Sequence, residues 1–139
     1  MKARAIVSLG SNIEPRAERL ANALRALAAF PSTRLAKASS VVETEPVGVP
    51  EEFASLRFLN QVAVFETGLS PREFSDMMHA VEDAQGRVRT VRNGPRTIDI
   101  DLIDFGGEKS DDPSLTLPHP RARERPFVTG PLAEIGESF

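Results

Sequence analysis

The chain has 139 residues, 40% of them hydrophobic and 27% charged, with a formal net charge of −3, which describes one globular domain, residues 1–139, long enough to bury a core. No apolar run approaches the roughly 20 residues that span a bilayer, and the short apolar stretch after Met1-Lys2-Ala3-Arg4 is too brief for a signal peptide, so a cytoplasmic protein without membrane attachment is expected. With no cysteine there is neither a disulfide framework nor thiolate chemistry, and the acidic balance speaks against a general nucleic-acid binder.

In chain order, residues 3–9 read as a short strand closed by Gly10-Ser11-Asn12, where Gly10 permits an unusual backbone turn and Asn12 can bridge it. Leu20, Leu24 and Leu27 recur at helical spacing behind Pro15, predicting a helix over about 15–29 that stops before Pro31. Residues 33–43 read as one strand. Pro46, Gly48 and Pro50 then deny regular structure, so 44–57 is expected to be a loop long enough for a function. Residues 58–67 read as a strand. Ser70, Pro71 and Glu73 mark the next helix with a capping box. Phe74, Met77, Met78 and Val81 give that helix one apolar stripe, and Gly86 its stop. His79 lies off the stripe and is expected at the surface. A fourth strand, residues 98–105, follows an arginine-rich stretch. The order β-α-β-β-α-β predicts an α+β fold of the ferredoxin-like, split βαβ kind, an antiparallel sheet with both helices on one face. Residues 106–117 read as a hairpin or irregular insertion opened by Gly106-Gly107. Phe127-Val128 and Leu132 through Ile135 are expected to cover the sheet edge.

The chemistry concentrates between Arg87 and Phe105. Basic residues divide into 14 Arg and 3 Lys, and seven of the Arg fall between 87 and 125. Arginine's planar fork suits phosphate oxygens. A genome that favours Arg codons accounts equally well for the overall bias, but not for the clustering. On a strand, Asp99 and Asp101 point the same way while Ile98, Ile100 and Leu102 point the other. Two carboxylates about 5 Å apart repel by roughly 3 kcal/mol at an effective dielectric near 20, so protons, arginines or metal ions must neutralise them. A solvent-facing pair balanced by Arg96 is one solution. The other is a Mg²⁺ site, since that ion takes one or two protein carboxylates and completes its shell with water and phosphates. No Gly-rich Walker sequence is present, and two distant His with no Cys make no ordinary zinc site.

The run Gly94-Pro95-Arg96-Thr97-Ile98-Asp99-Ile100-Asp101-Leu102 resembles the signature of the 6-hydroxymethyl-7,8-dihydropterin pyrophosphokinases. The likeness continues through Gly10-Ser11-Asn12, Glu43-Thr44-x-Pro46-x-Gly48, Phe58-Leu59-Asn60, Glu82, Gly86-Arg87-x-Arg89, Leu117-Pro118-His119-Pro120 and Arg125-x-Phe127, nearly the whole chain. The resemblance implies transfer of the β,γ-pyrophosphoryl group of ATP to the pterin hydroxymethyl oxygen, with release of AMP. It implies two Mg²⁺ ions on Asp99 and Asp101, with Arg87 and Arg96 joining them as catalytic residues. ATP would be bound by Glu82, Arg87, Arg89, Arg92, Arg96, Ile100, His119 and Arg125. The pterin would be held by Thr44, Pro46, Val47, Gly48, Phe58, Asn60 and Phe127. A flat heterocycle needs aromatic faces and an amide edge reader, which Phe58, Phe127 and Asn60 offer; read alone, both rings also suit ordinary core packing.

Three departures bear on the nucleotide side. The loop between Gly86 and Gly94 is one residue shorter than in the enterobacterial type, with Asn93 at its tryptophan position. Pro120 stands where those members have tyrosine, and the chain stops at Phe139 where many relatives continue. The partners expected are ATP and a dihydropterin, with no nucleic acid, and the protein is expected to act as a monomer. Two other readings remain: an RNA-binding ferredoxin-like domain, which requires exposed aromatics on the sheet, and a catalytically weakened relative serving as a regulatory or scaffold domain.

Overall fold

The computed structural model describes residues 2–45, 51, 57–85 and 98–139. Its elements are β1 (Ala3–Ser11), α1 (Arg16–Ala28), β2 (Thr33–Ala38), β3 (Val42–Thr44), β4 (Phe58–Thr67), α2 (Pro71–Ala84), β5 (Asp99–Phe105), a hairpin of β6 (Ser110–Asp112) and β7 (Leu115–Leu117), and α3 (Pro126–Glu134). The sheet runs β2-β4-β1-β5, with β3 also paired to β4. Each pairing is antiparallel. This is the expected ferredoxin-like arrangement.

The helix side of the sheet carries the larger core. Val7 and Leu9 of β1, Phe65 of β4 and Ile98, Ile100 and Leu102 beside them pack under Leu20 and Leu27 of α1 and Phe74 and Met78 of α2. Phe74 is its hub. Its ring lies 5.4 Å from Phe30 and 6.1 Å from both Phe65 and Phe105, with edge or tilted contacts of the kind that adds to plain area burial. The capping box forms as the sequence predicts: Ser70 Oγ accepts from the Glu73 N–H, and the Glu73 carboxylate accepts from the Ser70 N–H. His79 is exposed.

Four expectations need correction. Residues 33–43 are not one strand. Ser39–Val41 bulge between β2 and β3 because the Ser39 hydroxyl accepts the Val62 N–H at 3.0 Å, and this side-chain bond competes with the regular ladder. Three residues there face only Gln61 and Val62, between the pairs Ala38↔Ala63 and Val42↔Asn60. Gly10 is not in a turn; it lies inside β1, paired to Asn60 and Asp99. Thr44, the first residue of the expected 44–57 loop, instead closes β3; most of that segment lies outside the described residues. Finally, residues 127–135 cover a face of the sheet rather than its edge. Ile6, Val62, Val64 and Ile103 point away from α1 and α2, and Val128 and Leu132 of α3 bury them with Ala122. The cause is that β1 and β4 are apolar on both faces, so a second cover is required.

A bulge also adjusts β5. Ile6 pairs with Asp104 and Val7 with Leu102, leaving Ile103 as the extra residue. Ile103 joins the α3-side core, while Phe105 returns to the helix-side core and reaches Phe74. Truncating the hub by Phe74→Ala is expected to cost about 3–5 kcal/mol, read as a lower urea midpoint at unchanged m-value.

Candidate active site

The carboxylates emerge from β5 as its alternation dictates. Ile98, Ile100 and Leu102 are buried on the helix side, and Asp99 and Asp101 are half-buried on the α3 side. On β1, Gly10 and Ser8 stand opposite them. Because β5 ends the order β2-β4-β1-β5, its outer backbone groups need other partners. Glu82 of α2 supplies one. Its carboxylate is 1% exposed and accepts the Ile100 N–H at 2.9 Å. The sequence suggested a nucleotide-side position for Glu82; its observed contact is with the backbone between the two aspartates. The Ile100 side chain lies in the helix-side core.

Basic groups approach from the segment leading into α3. The Arg125 guanidinium is 3.7 Å from Asp101 Oδ2 and lies over the Phe127 ring at 5.7 Å. The His119 N–H donates to the Ile103 carbonyl at 2.8 Å, which docks the Pro118-His119 segment on β5. His119 Nδ1 accepts from the Arg121 N–H at 3.3 Å. A neutral ring bonded this way carries its proton on Nε2 and donates from there. Burial, followed by the nearby charge of Arg125, lowers the pKa of His119, against an opposing pull from Asp99. The balance of these effects favours the neutral imidazole.

The third component sits on β4. Asn60 is 5% exposed, and its Nδ2 donates to Thr44 Oγ1 on β3. A Cβ on Gly10 would lie 2.8 Å from Asn60 Oδ1 and 3.5 Å from Phe58. A side chain at position 10 would force the Asn60 amide to shift, so glycine leaves the space in which that amide lies over the strand. Asn60, Gly10 and Asp99 are thus consecutive cross-strand partners, and strands about 4.8 Å apart put the amide roughly 10 Å from the carboxylate. Phe58 and Phe127 are both half-buried, with Phe127 packed against the α3-side core. Strand alternation sets Phe58, Asn60 and Val62 on that same face.

The structure therefore gathers Asp99, Asp101, His119, Arg125, Phe58, Asn60, Thr44 and Phe127 toward one end of the sheet on its α3 side. Arg87, Arg89, Arg92, Arg96, Pro46, Val47 and Gly48 lie outside the described residues. Sequence reasoning missed two contributions, the Glu82 brace on β5 and the space Gly10 leaves for Asn60. The first had no local signal, and the second was hidden by glycine's more familiar use in turns.

Fold and site together define a ferredoxin-like α+β domain whose acidic and basic groups converge beside a polar amide. The model of one protein family, described as 7,8-dihydro-6-hydroxymethylpterin-pyrophosphokinase (HPPK), matches residues 6–137, and the chain belongs to that family. Relatives named 2-amino-4-hydroxy-6-hydroxymethyldihydropteridine pyrophosphokinase include one from Pseudomonas aeruginosa, 40% identical over 95% of this chain and 80% of its own length. Those from Bacillus subtilis and Methylorubrum extorquens are 40% and 42% identical, over 94% and 95% of this chain and 77% and 82% of theirs. Among solved structures, an HPPK-DHPS crystallised in complex with substrates superposes with a TM-score of 0.71 at 13% identity, over 97% of this chain and 40% of that one. That likeness is one of fold, and this chain spans less than half of the larger protein.

The Gly10–Asn60 contact can be tested by stability alone. Gly10→Ala is expected to destabilise by about 1–3 kcal/mol through overpacking. Asn60→Ala should remove most of that penalty in the double variant, a coupling that denaturation of all four proteins in a mutant cycle would measure.

Proposed function

We propose that this chain transfers the pyrophosphoryl group of ATP to the hydroxymethyl group of 6-hydroxymethyl-7,8-dihydropterin, releasing AMP, in folate biosynthesis. The observation that carries the reading is the row Asn60–Gly10–Asp99 across three strands. It sets an amide suited to a pterin edge beside carboxylates suited to a cation and its phosphates.

Asp99 and Asp101 fit Mg²⁺, being hard oxygen donors on one face of one strand, and that ion completes its shell with water and phosphate oxygens. Two ions are the proposed complement. When bound, they neutralise the triphosphate and bring its oxygens and the acceptor hydroxyl into register. The chain's own groups do the rest. The Nε2–H of neutral His119 and the Arg125 guanidinium donate to phosphate oxygens. Arg87 and Arg96 stabilise charge developing in the transfer, and Arg89 and Arg92 add further phosphate contacts. Glu82 holds the backbone between the two aspartates, and Ile100, its side chain in the helix-side core, serves the nucleotide side through its backbone. Asn60 and Thr44 read the pterin edge, Pro46, Val47 and Gly48 complete it, and Phe58 and Phe127 bound its faces. In the transfer, the hydroxymethyl oxygen gives up its proton to solvent and forms a bond to the β-phosphorus. The bond from that phosphorus to the α,β-bridging oxygen breaks, and AMP leaves with the bridging oxygen.

One chain supplies every described element of this site, so a monomer suffices. No helix among the described residues is long and apolar enough to cross a membrane. The RNA-binding alternative needs an open sheet face, and α3 occupies the face opposite α1 and α2. The weakened-relative alternative gains nothing from the described site, where both carboxylates and Asn60 are in place.

Mixing the protein with ATP, Mg²⁺ and 6-hydroxymethyl-7,8-dihydropterin should yield AMP, and Asp99→Ala or Asp101→Ala should lower the rate at least about a hundredfold, as loss of a main electrostatic group does. A wild-type protein that makes no AMP would sink the proposal. Asn60→Ala should raise the KM for the pterin about tenfold, the cost of one buried hydrogen bond, with the KM for ATP within twofold. Equal rises in both would refute the assignment of Asn60 to the acceptor.

A further inference from the structure

Arg16 occupies the first position of α1, where the helix dipole disfavours a cation. The position is made acceptable by what the guanidinium touches. It pairs with Glu14 just outside the helix. It also reaches across to the sheet, where NH1 donates to Glu43 Oε2 at 2.9 Å and to the Arg57 carbonyl at 3.0 Å. Arg57 closes the group, its guanidinium 3.6 Å from Glu43 and 3.0 Å from Glu45. The first cause of the lowered Glu43 pKa is the hydrogen bond from Arg16.

The two acceptors of NH1 are the roots of the segment that joins β3 to β4. Glu43 is the central residue of β3, and Arg57 immediately precedes β4. Strand β3 has only the pairs Val42↔Asn60, Glu43↔Leu59 and Thr44↔Phe58. The Ser39 bulge separates it from β2, and so short a pairing has little stability of its own. Its register nevertheless decides whether Thr44 Oγ1 meets Asn60 Nδ2. A planar, forked donor that spans both strands is suited to hold that register, which a flexible ammonium would do less well.

We infer that Arg16 is a positioning residue for the acceptor subsite, strapping Glu43 to the Arg57 carbonyl so that Thr44 and Asn60 keep the geometry that reads the pterin edge. The inference rests on the acceptor assignment made above, and it extends the site to a residue of α1 that touches neither substrate.

The test uses Arg16→Met, Arg16→Lys and, as control, Glu14→Gln, which cuts the Glu14 pair and leaves the strap intact. Arg16→Met should raise the KM for the dihydropterin about tenfold, the scale of a lost hydrogen bond to a charged group, with the KM for ATP and kcat within about twofold. Arg16→Lys should recover part of the loss, and Glu14→Gln should match wild type. A second readout needs no activity. In ¹⁵N-labelled, ligand-free protein the Asn60 side-chain amide resonances should shift in Arg16→Met and not in Glu14→Gln. An Asn60 amide that does not move, or a KM for ATP that rises in step with that for the pterin, overturns the inference. If wild-type protein makes no AMP, the functional reading fails while the Asn60 resonance still decides whether the strap exists.

Discussion

Strand β1 is hydrogen-bonded along both edges, to β4 on one side and β5 on the other, and the site is referred to it on both sides. The Asn60 amide rides on β4 and the carboxylates on β5, so their separation is set by two strand spacings and by the absence of a side chain at Gly10. Such a spacing is stiff. Changing it requires breaking a ladder whose residues are buried on both faces, with Ala5, Val7 and Leu9 under α1 and α2 and Ile6 under α3. Most of the apolar packing serves to keep that central strand from moving.

The polar groups lie where the apolar cover ends. Along β4, Val64 and Val62 are capped by α3, and the next position on that face is Asn60. On β5, Ile103 is capped and Asp101 and Asp99 follow. The same short helix begins at the residue that brings a guanidinium to Asp101, so the element that closes the second core also carries charge to the site. His119 is similarly tied by its backbone to β5 and by its ring to the following turn, which leaves Nε2 as the donor of the neutral ring. Glu82 acts from the opposite side through the backbone of Ile100.

Much of this is legible in the residue order where the cause is local. The capping box of α2 is written in Ser70-Pro71-x-Glu73, and the strand at 58–67 in its run of β-branched and aromatic residues. The divergence of Asp99 and Asp101 from Ile98, Ile100 and Leu102 follows from the pleat alone. Family signatures in the same stretches also name the chemistry. Where the cause is distant, local reading fails. The break after Ala38 depends on the Val62 amide turning to the Ser39 hydroxyl, and nothing near position 39 announces it. The use of Gly10 depends on a side chain fifty residues away, at position 60.

By itself, the sequence determined the family signature and the order of elements that bears it, because propensity, capping and alternation act over a few residues. The tertiary structure alone decided that α3 covers a face rather than an edge, that a glycine serves as space for an amide, and that a buried glutamate and an arginine at a helix start brace the strands of the site. Each of these is a contact between distant parts of the chain, specified by burial and hydrogen-bond demand on both partners at once, and neither partner's neighbourhood encodes the other.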